Sequence, residues 1–316
     1  MRGFFTVCTL ALLFSHAQVS AAGPWFTGPL LAPAGHTVPN GHTNLEIYGF
    51  DTINDGIYSR HWKLIHVPTG QSQVLNPIFT HGITDRMDVQ FGLPYVYNRL
   101  LGANSTGIGD TSAGMGLQLI EQKDKLWRPD LRLLVQEIIP TGNYKKLDPT
   151  SNGVDATGLG SYQTVFSLNF QHLLHLTDVH YFRSRLSLAY VYASPVSIQG
   201  LSSYGGTPDT DGNIRPGDLV SLDAAAELTL TQNWVAVMET YIANRQKTRF
   251  RGIIGNDAMG KPGTIGHGAV DKITLAPAIE YNFSSNVGII AGPWFTVAGR
   301  ETVDFISYVL AFNAYW

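Results

Sequence analysis

Cysteine is all but missing from this chain of 316 residues, with Cys8 the single one. A lone thiol excludes an internal disulfide framework, a paired redox motif and a thiolate metal site. Charge is scarce too, at 14 % of residues with a net value of −3. With no basic excess to neutralise phosphates, nucleic acid is not an expected partner. No stretch reaches the roughly eighteen apolar residues that a helical membrane span needs. What the chain has instead is 33 glycines and 11 % aromatic residues. That balance suits many strands joined by turns.

Residues 1–21 read as a signal peptide. Arg2 is its basic start, residues 3–15 (GFFTVCTLALLFS) its apolar core, and Ser20, Ala21 and Ala22 the small residues around cleavage after Ala21 or Ala22. Cys8 lies inside this segment, with too little apolar sequence before it for a lipid-attachment signal. A buried first helix of a soluble protein is the competing reading. Next comes a Gly/Pro-rich arm, 22–42. Its four prolines lack donors and rule out a regular strand ladder. The arm is expected either beside the following domain or tucked inside it.

From residue 43 onward the pattern predicts twelve strands, at 43–54, 72–84, 86–99, 108–122, 129–140, 159–173, 179–195, 217–231, 233–248, 270–283, 286–299 and 302–316. Each alternates with a period of two. Val220, Leu222, Leu228 and Leu230 oppose Ser221, Asp223, Glu227 and Thr229; Ile273, Leu275, Ile279 and Tyr281 oppose Thr274, Ala276, Ala278 and Glu280. Tight connections such as Thr84-Asp85 and Gln232-Asn233 alternate with long ones at 55–71, 141–158, 196–216 and 249–269, with shorter links at 100–107 and 300–301. Short turns on one side and long loops on the other are the habit of transmembrane barrels. The fold class expected for 43–316 is therefore all-β, a transmembrane antiparallel up-and-down β-barrel of twelve strands. A half-buried sheet in a soluble sandwich would alternate in the same way.

Two features bear on that choice. Tyr95, Tyr97, Tyr190 and Tyr192 fall at the loop ends of strands, and Phe170, Trp234, Tyr281 and Phe283 at the turn ends, as two interfacial girdles require. The last strand places Ile306, Tyr308, Leu310, Phe312 and Trp316 on alternate positions. This resembles the terminal signature that barrel-assembly machinery reads, with Phe312 and Trp316 as its aromatic members. The expected location is a bacterial outer membrane, reached through a cleaved signal peptide. The expected partners are membrane lipid and the assembly machinery, and an even strand count puts both termini on the periplasmic side.

Four segments also resemble a family: Gly92-Leu93-Pro94-Tyr95, Gly107-Ile108-Gly109-Asp110, Ile139-Pro140-Thr141-Gly142 and Thr157-Gly158-Leu159-Gly160-Ser161. In this order they look like the outer-membrane transporters labelled as phenol-degradation meta-pathway proteins. The resemblance covers most of the chain after the signal and concentrates in 85–175. It implies a barrel with a transport role. The motifs are turn and strand-start signals, so no family site residue carries over.

An outer-membrane lipid hydrolase would need a Ser–His pair with an orienting carboxylate or amide. Ser59 and His61 are the nearest candidates, and they lack a third member. The remaining histidines show no tight ligand spacing, and His172 and His175 fit an interface beside a turn. Asp209-Thr210-Asp211-Gly212-Asn213 starts like a calcium loop without the closing glutamate, so a plain turn is expected there. No metal or cofactor is called for. The inward strand positions are richer in chemistry, carrying Asp88, Arg132, Arg183, Arg185, Asp223, Glu227, Glu239, Lys272 and Glu280. These are the candidate lumen-lining residues, read as either a structural network or a selectivity zone. Arg132, Arg185, Glu227, Glu239 and Glu280 are expected to form one layer roughly 10–16 Å from the turn-side rim. Three carboxylates beside one arginine would leave an acidic excess, which Arg132 or the arm could offset and Lys272, at the other strand end, could not. The leading functional expectation is a passive outer-membrane channel or uptake barrel for small, hydrophobic or aromatic molecules, and not an enzyme. A non-conducting structural or surface-interaction barrel is the alternative, followed by a lipid-modifying enzyme.

Overall fold

The computed structural model describes residues 23–123, 127–257 and 259–316. The expected signal peptide, with Arg2, Cys8 and its cleavage site, lies outside them. The first strands are β1 (Thr43–Tyr58), β2 (Leu64–Thr84), β3 (Met87–Gly92), β4 (Tyr95–Leu100), β5 (Ala103–Ile108) and β6 (Thr111–Ile120). They are followed by β7 (Asp130–Ile139), β8 (Gln163–His175), β9 (Tyr181–Ala193), β10 (Val196–Gln199) and β11 (Asp211–Arg215). The chain ends with β12 (Leu219–Thr229), β13 (Trp234–Arg245), β14 (Arg249–Ile253), β15 (Val270–Asn282), β16 (Val287–Arg300) and β17 (Thr302–Tyr315).

All but β10, β11 and β14 belong to one antiparallel sheet, and β1 pairs with both β2 and β17. The sheet therefore closes on itself. Thr43 and Trp316 seal the seam by exchanging N–H···O bonds of 2.7 and 3.0 Å. β3 continues into β4 across Leu93-Pro94, and β5 into β6 across Gly109-Asp110, so the wall has twelve staves. Closure removes the open edges that a sheet could not present to lipid.

Alternation decides which face is which. Val220 and Leu228 are 58 % and 38 % exposed on the outside, whereas Asp223 and Glu227 beside them are 5 % and 0 %. In β15, Ile279 is exposed and Glu280 fully buried. A slip of one residue would put every one of these carboxylates into lipid, so the register is strongly specified.

Several sequence expectations need correction. The staves drawn at 86–99 and 108–122 are each broken, because Pro94 has no N–H and the Gly109-Asp110 corner redirects the chain. The links 55–71 and 100–107 are largely strand. β1 and β2 run on to Tyr58 and from Leu64, and β4 turns into β5 through Leu101 and Gly102, both at positive φ (50° and 85°). The loops 196–216 and 249–269 hold a second sheet of β10, β11 and β14, built on buried Val196, Ile198 and Ile214. The segment read as a plain turn at Asp209–Asn213 therefore leads into a strand. All these extensions lie on the loop side, beyond the level at which lipid imposes an apolar outer face.

Candidate functional site: the lumen and the arm inside it

Cross-strand register stacks the inward side chains in rows. Glu280 aligns with Val235; Glu227 with Arg183 and Val237; Glu239 and Arg185 with Ala225; Arg132 with Asn169, which aligns with Ser187 and Asp223. The five side chains of the expected charged layer thus span four successive rows. All are at most 8 % exposed, as are Arg183, Asp223 and Asp88. Lys272 lies two strand positions loopward of Thr274, with its ammonium 5.3 Å from the Phe305 ring centroid.

The acidic excess expected from sequence is not left standing. Arg183 forms a two-pronged pair with Glu227, and Arg185 Nε lies 3.5 Å from the same carboxylate. Arg132 is committed to Asp88 at 2.6 Å. Glu239 and Glu280 are met by the arm, whose location the sequence left open. Residues 23–41 thread the turn-side half of the lumen. Thr27 and Gly28 donate backbone N–H groups to Glu280 Oε2 at 2.9 and 3.0 Å. Leu31 and Ala32 donate theirs to Glu239 at 3.0 and 2.5 Å. Thr37 N–H reaches Gln118 Oε1 at 2.7 Å, and Val38 N–H reaches Asp88 Oδ2 at 3.0 Å. In return Arg185 donates to Ala32 O at 3.0 Å, and Gln118 to Gly35 O at 3.1 Å. Glu239 and Glu280, which have no direct arginine pair, are thereby turned toward main-chain donors, as buried carboxylates require. Asp223 Oδ1 and Glu280 Oε1 have no hydrogen-bond partner among the described residues.

The arm's composition follows from this seat. A Cβ on Gly35 would stand 2.5 Å from Gln171 Cβ and 2.7 Å from its backbone nitrogen. Gly28 holds a φ of +119°, which presents its N–H to Glu280 beside Arg185. Leu30 packs into an apolar patch of Val235, Val237, Ala276, Ile290, Val309 and Ala311, and Arg183 stacks 4.0 Å above the Phe26 ring. His36 lies between Arg185, Arg183 and Arg132. Burial first, then those three cations, push its pKa down to about 3, so it meets Gln171 Nε2 at 3.0 Å as a neutral ring.

Loopward of the arm the inner wall turns aromatic. Tyr48 and Phe50 stack at 5.9 Å, Phe50 meets Trp294 edge-on at 6.5 Å, and Trp294 meets Phe305 at 4.8 Å. Trp294 Nε1 donates to Thr274 Oγ1 at 2.8 Å. Sequence reasoning missed this run. Its only signal was that these four rings occupy inward positions, where polar residues were expected.

The four segments that carried the family resemblance meet at one point on the loop side. Asp110 accepts N–H bonds from Gly142 (3.0 Å) and Leu159 (2.7 Å). Thr141 Oγ1 donates to Gly109 O at 2.7 Å, and Gly109 N–H donates to Pro94 O at 2.8 Å. Gly142 and Gly158 touch so closely that a Cβ on Gly142 would stand 2.6 Å from Gly158 N. The junction holds the 140–162 connection against the barrel wall, where Asn98 Nδ2 donates to Val154 O and Ala156 O at 3.0 Å each. Tyr204 then ties the second sheet to it, donating to Leu159 O at 2.8 Å.

Elsewhere, Ser59 Oγ is engaged as the acceptor of a turn, from the N–H groups of His61 and Lys63 at 3.3 and 3.2 Å. Among the described residues no group of three or more His, Asp or Glu side chains is placed to hold a metal ion. Phe312 and Trp316 face outward, 38 % and 57 % exposed.

Residues 35–292 match the family described as "Putative MetA-pathway of phenol degradation". Among solved structures, an outer membrane channel from Pseudomonas putida F1 aligns with a TM-score of 0.70 and 13 % identity, over 90 % of this chain and all 100 % of that one. The β domain of the Bordetella autotransporter BrkA aligns with a TM-score of 0.44 and 9 % identity, over 88 % and 100 %. The monoaromatic hydrocarbon channel CymD aligns with a TM-score of 0.39 and 10 % identity, over 88 % and 89 %. No curated protein matches the chain.

Proposed function

From the premise that this chain belongs to the phenol-degradation family just described, we propose that it is a passive outer-membrane channel for small apolar or aromatic molecules, with its arm as a removable plug. The loop side faces outward and both termini face the periplasm. Residues 1–21 direct export, and Phe312 and Trp316 serve the assembly machinery. Solute moves by diffusion, with no catalytic step.

The observation that carries the reading is how the lumen is filled. The wall closes through its own ladder, and no barrel strand depends on residues 23–38 for pairing. The arm is fixed instead by a handful of N–H···carboxylate and amide bonds, with Leu30 as its apolar anchor. Withdrawing it leaves the closed wall intact and exposes a passage lined by Arg183, Arg185, Asp223, Glu227, Glu239 and Glu280. Above that level, Tyr48, Phe50, Trp294 and Phe305 offer faces on which a flat apolar solute can rest. Lys272 stands beside them at the loop end.

Liposomes carrying the mature barrel test this directly. Uptake of a small aromatic alcohol should be slow with the intact arm and fast when 24–37 is deleted. Equal, background-level uptake from both would favour a non-conducting structural barrel.

A further inference from the structure

The second sheet has two unlike faces. Val196, Ile198 and Ile214 point one way and pack with Tyr144, Tyr204, Phe250 and Ile265. The opposite face is exposed and strongly basic. Arg215 stands directly across from Arg249, and Asn213 across from Arg251, in the β11–β14 ladder. All three arginines are exposed, as is Lys247 in the turn just before β14. Among the described residues none of these four cations has a carboxylate within ion-pair distance. Asp211 shares the face at its far end, opposite Ile253. Asp218 lies below it and is engaged by the Tyr190 hydroxyl at 3.1 Å. Asp257 is spent on the N–H groups of Met259 and Lys261.

Like charges directly opposite in a ladder destabilise it. In a chain of net charge −3, such an array calls for an anion. Its height says which one. β10 starts three residues after β9 ends at Ala193, and β9 carries the outward Tyr190 and Tyr192 of the loop-side aromatic belt. Aromatic belts sit at the level of lipid headgroups. A basic face immediately above the belt is therefore level with headgroup phosphates. Guanidinium groups grip phosphate through paired N–H···O bonds, which no single lysine can copy.

We propose that the exposed face of the β10–β11–β14 sheet is a docking site for the phosphate groups of outer-leaflet glycolipid, held by Arg215, Arg249 and Arg251. This rests on the outward orientation given to the loop side, but not on conduction. Failure of the channel reading in the uptake assay would leave it standing.

The test is native mass spectrometry of the purified barrel with added bisphosphorylated lipid A, its monophosphorylated form, or a zwitterionic phospholipid. The wild type should retain the bisphosphorylated form best. R215Q/R249Q/R251Q should lose about tenfold of that retention, while R60Q/K63Q on the β1–β2 turn should lose none. Millimolar inorganic phosphate should not strip the adduct. The single change R249Q removes one of two opposed charges. Without lipid it should raise the melting temperature slightly, and with lipid lower retention, a pairing that a misfolded sheet could not give. Undiminished retention in the triple variant, indifference to phosphate number, or displacement by inorganic phosphate would each overturn the proposal.

Discussion

The two ends of this barrel are built on different physics. On the turn side the stopper is a single extended segment, seated by main-chain N–H groups that point at Glu239, Glu280, Asp88 and Gln118. On the loop side the comparable segment is braced against the wall. The 140–162 connection enters from β7, leaves into β8, and is pinned midway by Asp110 and by glycine–glycine contact. A segment held at both ends and in the middle loses little entropy by staying put. One tethered at a single end can leave as a unit. With residues 1–21 removed on export as proposed, the difference predicts rigidity on the loop side and exchange on the turn side.

The comparison breaks first at Asp110. Asp110→Ala leaves two N–H groups unmatched, each costing about 1–3 kcal/mol. The urea midpoint of the barrel should fall accordingly, and protease should cut within 140–162. An unchanged midpoint would mean that the junction is ornamental. Gly142→Val forces a branched side chain against Gly158 and should cost about 1–3 kcal/mol by overpacking, read by the temperature at which the folded band disappears in a gel-shift assay.

The arm should answer differently. Glu239→Gln turns one of the two oxygens that accept from Leu31 and Ala32 into a donor, a loss of about 1 kcal/mol. Arm release should rise roughly fivefold in hydrogen exchange at Leu31 and Ala32, with the barrel midpoint unmoved. Gly35→Ala drives a methyl onto the Gln171 backbone and should unseat the arm around residue 35, with the barrel midpoint again unmoved. If either change unfolds the barrel, the arm is a structural core and not a plug.

How far the sequence could anticipate this depends on where each residue meets its surroundings. β12 and β15 were readable because lipid on one side and charge on the other impose strict alternation, as at Leu228 beside Glu227 and Ile279 beside Glu280. Residues 64–70 were not, since both faces of that strand stand in water and Pro68 suggests a loop. The lumen carboxylates could be listed by face. Their partners could not, because a backbone N–H leaves no mark in the sequence, and Gly28, Leu31 and Ala32 look like any turn-rich leader. Arg183 was assigned to the lumen but not to Glu227; only the register, which sets them directly opposite, pairs them. The four family segments were visible one by one, but they lie up to 69 positions apart (92 to 161), and pattern alone could not bring them to Asp110.

Single-channel recording of the intact mature barrel and of its 24–37 deletion tests the central claim most directly. A removable plug predicts brief, rare openings for the intact chain and a persistent open level for the deletion, with both barrels equally resistant to urea. A closed deletion variant, or one that no longer folds, would contradict it.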